Sequence, residues 1–313
     1  MKRLLVIRFS ALGDVAMLVP VLRLAAAQNP DVQMTVLSQQ WMADLFAGMP
    51  DNVTFHGVDL KHQSLREIVA GLGSYDLVAD MHGVWRSLFI STVFRFRGAR
   101  VRTIYKGRFQ KFLLTHSIVR NPLPHTSSRY EKVLYCLGLD RCKSDAPLIS
   151  AGQGIGVAPF AAHAGKIYPL ERMEQVVKSL SSHGEKIILF GSRQEAEVLD
   201  AWAQKYKGVE SIAGKKSLRE ELEIMRGLRV MLTMDSANMH LASLAGTRVV
   251  SVWGATHPNA GFLGFGQKES DCVQRDLKCR PCSVYGKRKC KYGDYRCLQI
   301  APETIVEKLL DKE

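Results

Sequence analysis

No stretch of these 313 residues approaches the ~20 consecutive apolar positions that a helix needs to cross a bilayer, which excludes a protein built on membrane-spanning helices. The amino end, Met1-Lys2-Arg3-Leu4-Leu5-Val6-Ile7-Arg8-Phe9, starts with positive charge. Its apolar run is too short for a secretory signal and carries no cleavage pattern, so it reads as the first strand of a cytoplasmic protein. Low-complexity segments and a clear internal repeat are also absent, which argues against a disordered chain or a solenoid. Acidic residues are scarce: 30 Asp and Glu against 43 Lys and Arg leave a formal charge of +13. That balance points to anionic partners such as nucleic acid, anionic lipid or phosphorylated sugars. What is present, 46% hydrophobic and 23% charged residues, is a globular composition, and the length suits two domains that each bury a core.

The apolar pattern alternates strand-like and helix-like stretches. In the first half, strands are expected at Lys2 to Arg8, Gln33 to Leu37, Val53 to Phe55, Asp76 to Ala79 and Arg100 to Ile104. Helical stretches fall between them, one running to Gln28 with Pro20 inside it, where a kink or an early boundary is expected. A further helix starts at Thr126 or Ser127 as its cap and ends at Gly138. Asp140 to Gly154, rich in Asp, Ser, Pro and Gly, reads as a linker. The rhythm then restarts with strands at Ile155 to Ala158, Lys186 to Phe190 and Val230 to Thr233. Between them lie helices at Pro169 to Leu180, near Gln194, and at Ser217 to Arg226, the last opened by a Ser217/Glu220 capping box. This predicts an α/β protein with two doubly wound, Rossmann-like domains facing across a cleft: residues 1–150, and residues 151–313 with a Cys-rich end.

Polar loops fall at the carboxyl ends of these strands, where open α/β sheets bind ligands. Asp235 or Ser236 can cap a helix through Ala245 closed by Gly246, and the N-terminus of that helix suits a phosphate, with His240 one turn further on. His82 and Trp85 can stack on or hydrogen-bond a sugar, although core packing explains Trp85 equally well. From Arg95 a basic run continues through Arg97, Arg100, Arg102, Lys106, Arg108 and Lys111, with Phe94, Phe96, Tyr105, Phe109 and Phe112 interleaved. Single-stranded nucleic acid, a phosphorylated acceptor, an anionic membrane or merely solvent can each face such a run. Cys279, Cys282, Cys290 and Cys297 can supply four thiolates to a structural zinc, or remain a reduced, metal-free cluster.

The ordered set Arg8-Phe9-Ser10-Ala11-Leu12-Gly13-Asp14-Val15, Lys166-Ile167-Tyr168-Pro169, Asp235-Ser236 with His240-Leu241-Ala242, Trp253-Gly254-Ala255-Thr256 and Cys279-Arg280-Pro281-Cys282 resembles the glycosyltransferase family 9 heptosyltransferases over nearly the whole chain. The resemblance implies a GT-B fold and an inverting, metal-independent transfer of a heptose or related sugar from a nucleotide sugar, typically ADP-heptose. The implied acceptor is an acidic glycolipid of the lipopolysaccharide core type, met at the cytoplasmic face of the inner membrane. It makes Asp14 the candidate base and puts Lys166 at the donor phosphates, with Asp235, Ser236, Ala237, Asn238, Met239 and His240 around the donor. Arg193 joins Lys166 as a cation suited to the leaving diphosphate. Ser10, Gly13, His82, Arg86, Arg102, Lys106 and Arg108 are the acceptor-side candidates. No cofactor is expected for catalysis and no nucleic acid as partner. The rivals are a GT-B-like sugar-nucleotide epimerase or hydrolase, and a nucleic-acid-binding protein using the basic run.

Overall fold

The computed structural model describes residues 1–116, 118, 121–140 and 152–311. Two compact units emerge: Met1–Gly107 with His125–Asp145, and Arg108–Pro124 with Ala146–Glu313. In the first unit the chain runs β1 (Lys2–Ile7), α1 (Leu12–Gln28), β2 (Val32–Gln39), β3 (Val53–Val58), α2 (Leu65–Ala70), β4 (Leu77–Asp80), α3 (Trp85–Phe96) and β5 (Arg100–Thr103). After an excursion through α4 (Arg108–Thr115), which belongs to the second unit, α5 (Thr126–Cys136) completes it. All five strands are parallel in the order β3-β2-β1-β4-β5. Leu4 to Ile7 of the central strand are fully buried, as a strand covered on both faces requires.

The second unit repeats the plan with β6 (Ile155–Ala158), α6 (Leu170–Ser182), β7 (Ile187–Leu189), α7 (Ala196–Lys205), β8 (Val209–Ser211), α8 (Leu218–Arg226), β9 (Val230–Met234), α9 (Ala237–Ala245), β10 (Arg248–Trp253), β11 (Cys272–Gln274) and α10 (Pro302–Leu310). Its parallel sheet has the order β11-β10-β9-β6-β7-β8. Amphipathic spacing explains the packing: on α6, Met173, Val176, Val177 and Leu180 form one buried face. In each sheet the chain reverses its direction of progress at one place, between β1 and β4 and between β6 and β9. Register aligns the strand ends there, with Ile7 opposite Asp80 and Ala158 opposite Thr233. The residues that follow each pair therefore emerge side by side, at the two switch points where such sheets hold ligands.

Helix α1 reaches Gln28 as its pattern predicts, with no early boundary at Pro20, because Val15 to Val19 on one side of it and Val21, Leu22, Ala25 and Ala26 on the other are all buried, and that packing outweighs the lost N–H bond. Two details differ from expectation. The cap of α5 is His125, whose Nδ1 accepts from the Ser127 N–H at 3.2 Å, rather than Thr126 or Ser127. The segment after Gly107 forms α4, and Leu123 N–H donates to Asn259 O at 2.8 Å, both within the second unit. Of the expected linker, residues 141–151 lie outside the described residues.

Candidate active site

At the first switch point, Arg8 leaves β1 almost wholly buried, and its guanidinium meets Asp14 Oδ2 at 2.5 Å and Met81 O at 2.5 Å. Asp14 occupies the third position of α1, where the same Oδ2 accepts from the Ala11 N–H at 3.2 Å. It is thus the partner of the cap and not the cap itself. Among the described residues nothing bonds its Oδ1, and the side chain keeps 24% of its exposure. Buried Tyr130 donates its hydroxyl to Asp14 O at 3.1 Å and sets its ring 5.9 Å from the Arg8 guanidinium.

Across from Asp14, at the end of β4, fully buried Asp80 uses Oδ1 to accept the N–H groups of His82 and Gly83 at 2.9 and 2.8 Å, which fixes the turn into α3. His82 Nε2 lies 3.4 Å from Ser10 Oγ. Burial, reinforced by the positive charges of Arg8 and Lys106, pushes the imidazole down to about 4, so it is neutral at pH 7. Asp80 Oδ2 and His82 Nδ1 are buried without a hydrogen-bond partner among the described residues. This end of the first sheet therefore combines a carboxylate with one free oxygen, a neutral imidazole and a hydroxyl, which is a set able to orient and deprotonate a sugar hydroxyl.

At the second switch point, the loop after β6 brings Lys166 Nζ to 2.7 Å from Asp235 Oδ2, which follows β9. The two side chains are 15% and 6% exposed. Ser236 stands in the N-cap position of α9, but its hydroxyl makes no capping bond: Oγ is buried and unpartnered among the described residues, as is Thr256 Oγ1 after β10. Ser236, one of the two expected residues, is thus the N-cap by position but makes no side-chain capping bond, and the Asp235 carboxylate is engaged by Lys166 instead. The first-turn N–H groups of Ala237, Asn238 and Met239 thus follow the Ser236 hydroxyl and the Lys166–Asp235 pair, while Thr256 follows the neighbouring strand β10; these are donors that a diphosphate can use. Met239 and His240 are buried, so Met239 offers only its backbone.

The family model of glycosyltransferase family 9 (heptosyltransferase) matches residues 65–293. This chain belongs to glycosyltransferase family 9. It is 23% identical to the lipopolysaccharide heptosyltransferase 2 of Salmonella typhimurium over 82% of this chain and 84% of that protein. In structure it resembles a glycosyltransferase family 9 protein from Veillonella parvula, with a TM-score of 0.74, 19% identity, and coverage of 98% of this chain and 96% of that one. It also resembles the E. coli ADP-heptose lps heptosyltransferase II, with a TM-score of 0.68, 19% identity, and coverage of 99% and 97%. The fold is GT-B, and the protein is a glycosyltransferase.

The remaining candidates of this glycosyltransferase are dispersed. Lys106 joins the first cluster: it acts electrostatically on His82, and its Cε lies where a Cβ on Gly83 would fall 3.3 Å away. Gly13 is buried in the first turn of α1. Arg86 lies over the Trp85 ring at 5.2 Å, and Arg102 projects outward from β5. Arg108 opens α4, in the other unit. Arg193 follows β7, separated from β9 by β6, and takes no part in the Lys166–Asp235 pair. Trp85 is 68% exposed, which removes the core-packing explanation. Lys111, by contrast, is withdrawn from the basic run, buried with its ammonium 4.6 Å from the Phe262 ring and 3.3 Å from the Tyr285 hydroxyl.

Cys279, Cys282, Cys290 and Cys297 are free thiols, and among the described residues no three His, Cys, Asp or Glu side chains are arranged to hold a metal. Cys282 feels the charges of Cys279 and Cys290, and Cys297 those of Cys282 and Cys290, so the four thiols lie in one neighbourhood. The segment is fastened to the rest of the second unit by Arg280. Its buried guanidinium donates to Gly254 O at 2.6 Å, Thr256 O at 2.8 Å, Gln274 Oε1 at 3.0 Å and Arg275 O. Cys282 and Ser283 N–H both donate to Ala255 O, and Ala255 N–H donates to Gly165 O at 2.8 Å. Gly286, at φ +75°, lies over the Lys166 stem so closely that a Cβ there would meet Cγ at 2.7 Å. The Cys-rich segment thereby braces the loop that carries Lys166.

Proposed function

We propose that this protein transfers a heptose from ADP-heptose to a lipopolysaccharide core-type acceptor, with inversion and without a catalytic metal, as a peripheral protein at the cytoplasmic face of the membrane. The observation that carries the reading is the division of labour between the two switch points. One holds a carboxylate with a free oxygen, and the other holds a lysine, a helix N-terminus and two idle hydroxyls. A single-displacement transfer needs these two duties. Asp14 Oδ1 takes the proton of the acceptor hydroxyl while Arg8 fixes Oδ2, and the neutral His82 with Ser10 orients the sugar. The hydroxyl oxygen bonds to the anomeric carbon on the side opposite the diphosphate, the bond to the diphosphate breaks, and ADP departs. Lys166 and the α9 N–H groups neutralise the charge that develops on it. The named activities of the relatives support the donor and acceptor.

A thermal-shift panel of nucleotide sugars tests this reading, because a ligand at 100 times its Kd stabilises the native state by about 2.7 kcal/mol. ADP-heptose and ADP are expected to raise the melting temperature. A shift with UDP- or GDP-sugars and none with ADP-heptose would overturn the donor assignment.

A further inference from the structure

Helix α3 turns the wrong side outward. Ser87, Ile90, Ser91 and Phe94 face the core, yet Trp85, Leu88, Phe89 and Phe96 are exposed by 68%, 43%, 41% and 89%. With Thr92, these exposed positions recur at three- and four-residue spacing, so they form one continuous stripe along the whole length of the helix. A soluble helix ordinarily shows polar residues on that side. Arginines border the stripe, Arg95 on one flank and Arg86 and Arg97 on the other, and the helix contains no acidic residue. Arg100 and Arg102 of the adjoining β5 are exposed as well.

We propose that the outer face of α3 is a docking surface for an anionic lipid bilayer, with Trp85, Leu88, Phe89 and Phe96 entering the headgroup boundary and the flanking arginines meeting lipid phosphates. The inference rests on the reading that the acceptor is a membrane glycolipid, and it assigns the surface that reaches it. Charge complementarity selects the occupant. An apolar stripe edged by cations on a convex helix matches an interfacial helix, whereas stacking on nucleic acid has no use for Leu88 at its centre.

The test is co-sedimentation of the full chain with vesicles of phosphatidylglycerol and phosphatidylcholine, compared with phosphatidylcholine alone. The comparison variant is Leu88→Ser/Phe89→Ser/Phe96→Ser, whose positions are exposed and lie outside the proposed substrate sites. Wild type is expected to bind the anionic vesicles, more weakly at high salt, and the variant to lose about tenfold or more in partitioning. Circular dichroism and turnover of a delipidated, soluble acceptor should remain at wild-type level. Failure of wild type to bind anionic vesicles, or a variant that binds them equally well, would overturn the proposal, as would RNA displacing the vesicles at physiological salt. Retained soluble-acceptor turnover in those cases would leave the catalytic reading standing. Absent turnover with intact vesicle binding would instead count against that reading alone.

Discussion

Replacing Lys166 with Met keeps the stem under Gly286 and removes the ammonium that lies 2.7 Å from Asp235. Two losses follow, and the structure allows them to be separated. The first is structural: Asp235, 6% exposed at its side chain, becomes an uncompensated carboxylate, and breaking one side of such a pair costs about 3–5 kcal/mol. The second concerns the ligand: a charge-assisted bond to phosphate contributes about 1.5–3 kcal/mol, roughly a 10- to 150-fold weaker Kd for ADP when it is lost. The variant Lys166→Met/Asp235→Asn restores charge balance. Urea denaturation is expected to show most of the stability returned, while calorimetry with ADP shows affinity still depressed. If the double variant regains ADP affinity along with its stability, Lys166 is a structural partner of Asp235 and the phosphate assignment fails.

Asp14→Asn should lower kcat by about 10²- to 10⁴-fold with both substrates still bound. It should also lower the melting temperature, because buried Arg8 loses its anion, so kinetics belong at a temperature where both forms are folded; near wild-type kcat with chemistry limiting would clear Asp14. His82 has a native value of about 4 against an ordinary 6.5, so the folded state resists its protonation. Its contribution to stability is therefore complete above pH 6.5 and is lost as pH falls toward 4. His82→Gln should flatten the urea-measured profile between pH 6.5 and 4, and an unchanged slope would refute that. Arg280→Lys cannot reproduce the four hydrogen bonds of the guanidinium and should destabilise the protein by about 3 kcal/mol, whereas chelator should leave the wild-type melting temperature unchanged. Chelator-induced melting would assign the cysteines a bound metal.

The fold was readable in the sequence because parallel strands such as Leu4–Ile7 and Ile155–Ala158 are almost wholly apolar runs, and because capping boxes such as Ser217/Glu220 mark helix starts. The three-residue β8 and β11 carry too little pattern to be seen, and α4 was hidden by the charges that made its segment look like a surface run. At the sites, Asp14 and Lys166 entered as candidates through the family resemblance, and Asp235 also as a polar residue after a strand. Their pairings did not: the Arg8–Asp14 pair depends on a local turn, and Lys166–Asp235 joins residues that only the β6–β9 pairing brings together. Arg280 stood inside a quoted motif, yet its role depends on the carbonyls of Gly254 and Thr256, which periodicity does not place. The stripe on α3 was obscured for a related reason, since a hydrophobic helix face in a sequence is ordinarily assigned to the core.

The central claim is acceptor-dependent transfer from ADP-heptose, and its most direct test is a single reaction of purified protein, ADP-heptose and a delipidated lipopolysaccharide core acceptor. Mass spectrometry of the acceptor is read alongside released ADP. The account predicts one added heptose per ADP formed, with the anomeric configuration inverted relative to the donor. Release of ADP at the same rate without acceptor, or recovery of an isomerised sugar nucleotide with the acceptor unmodified, would contradict it.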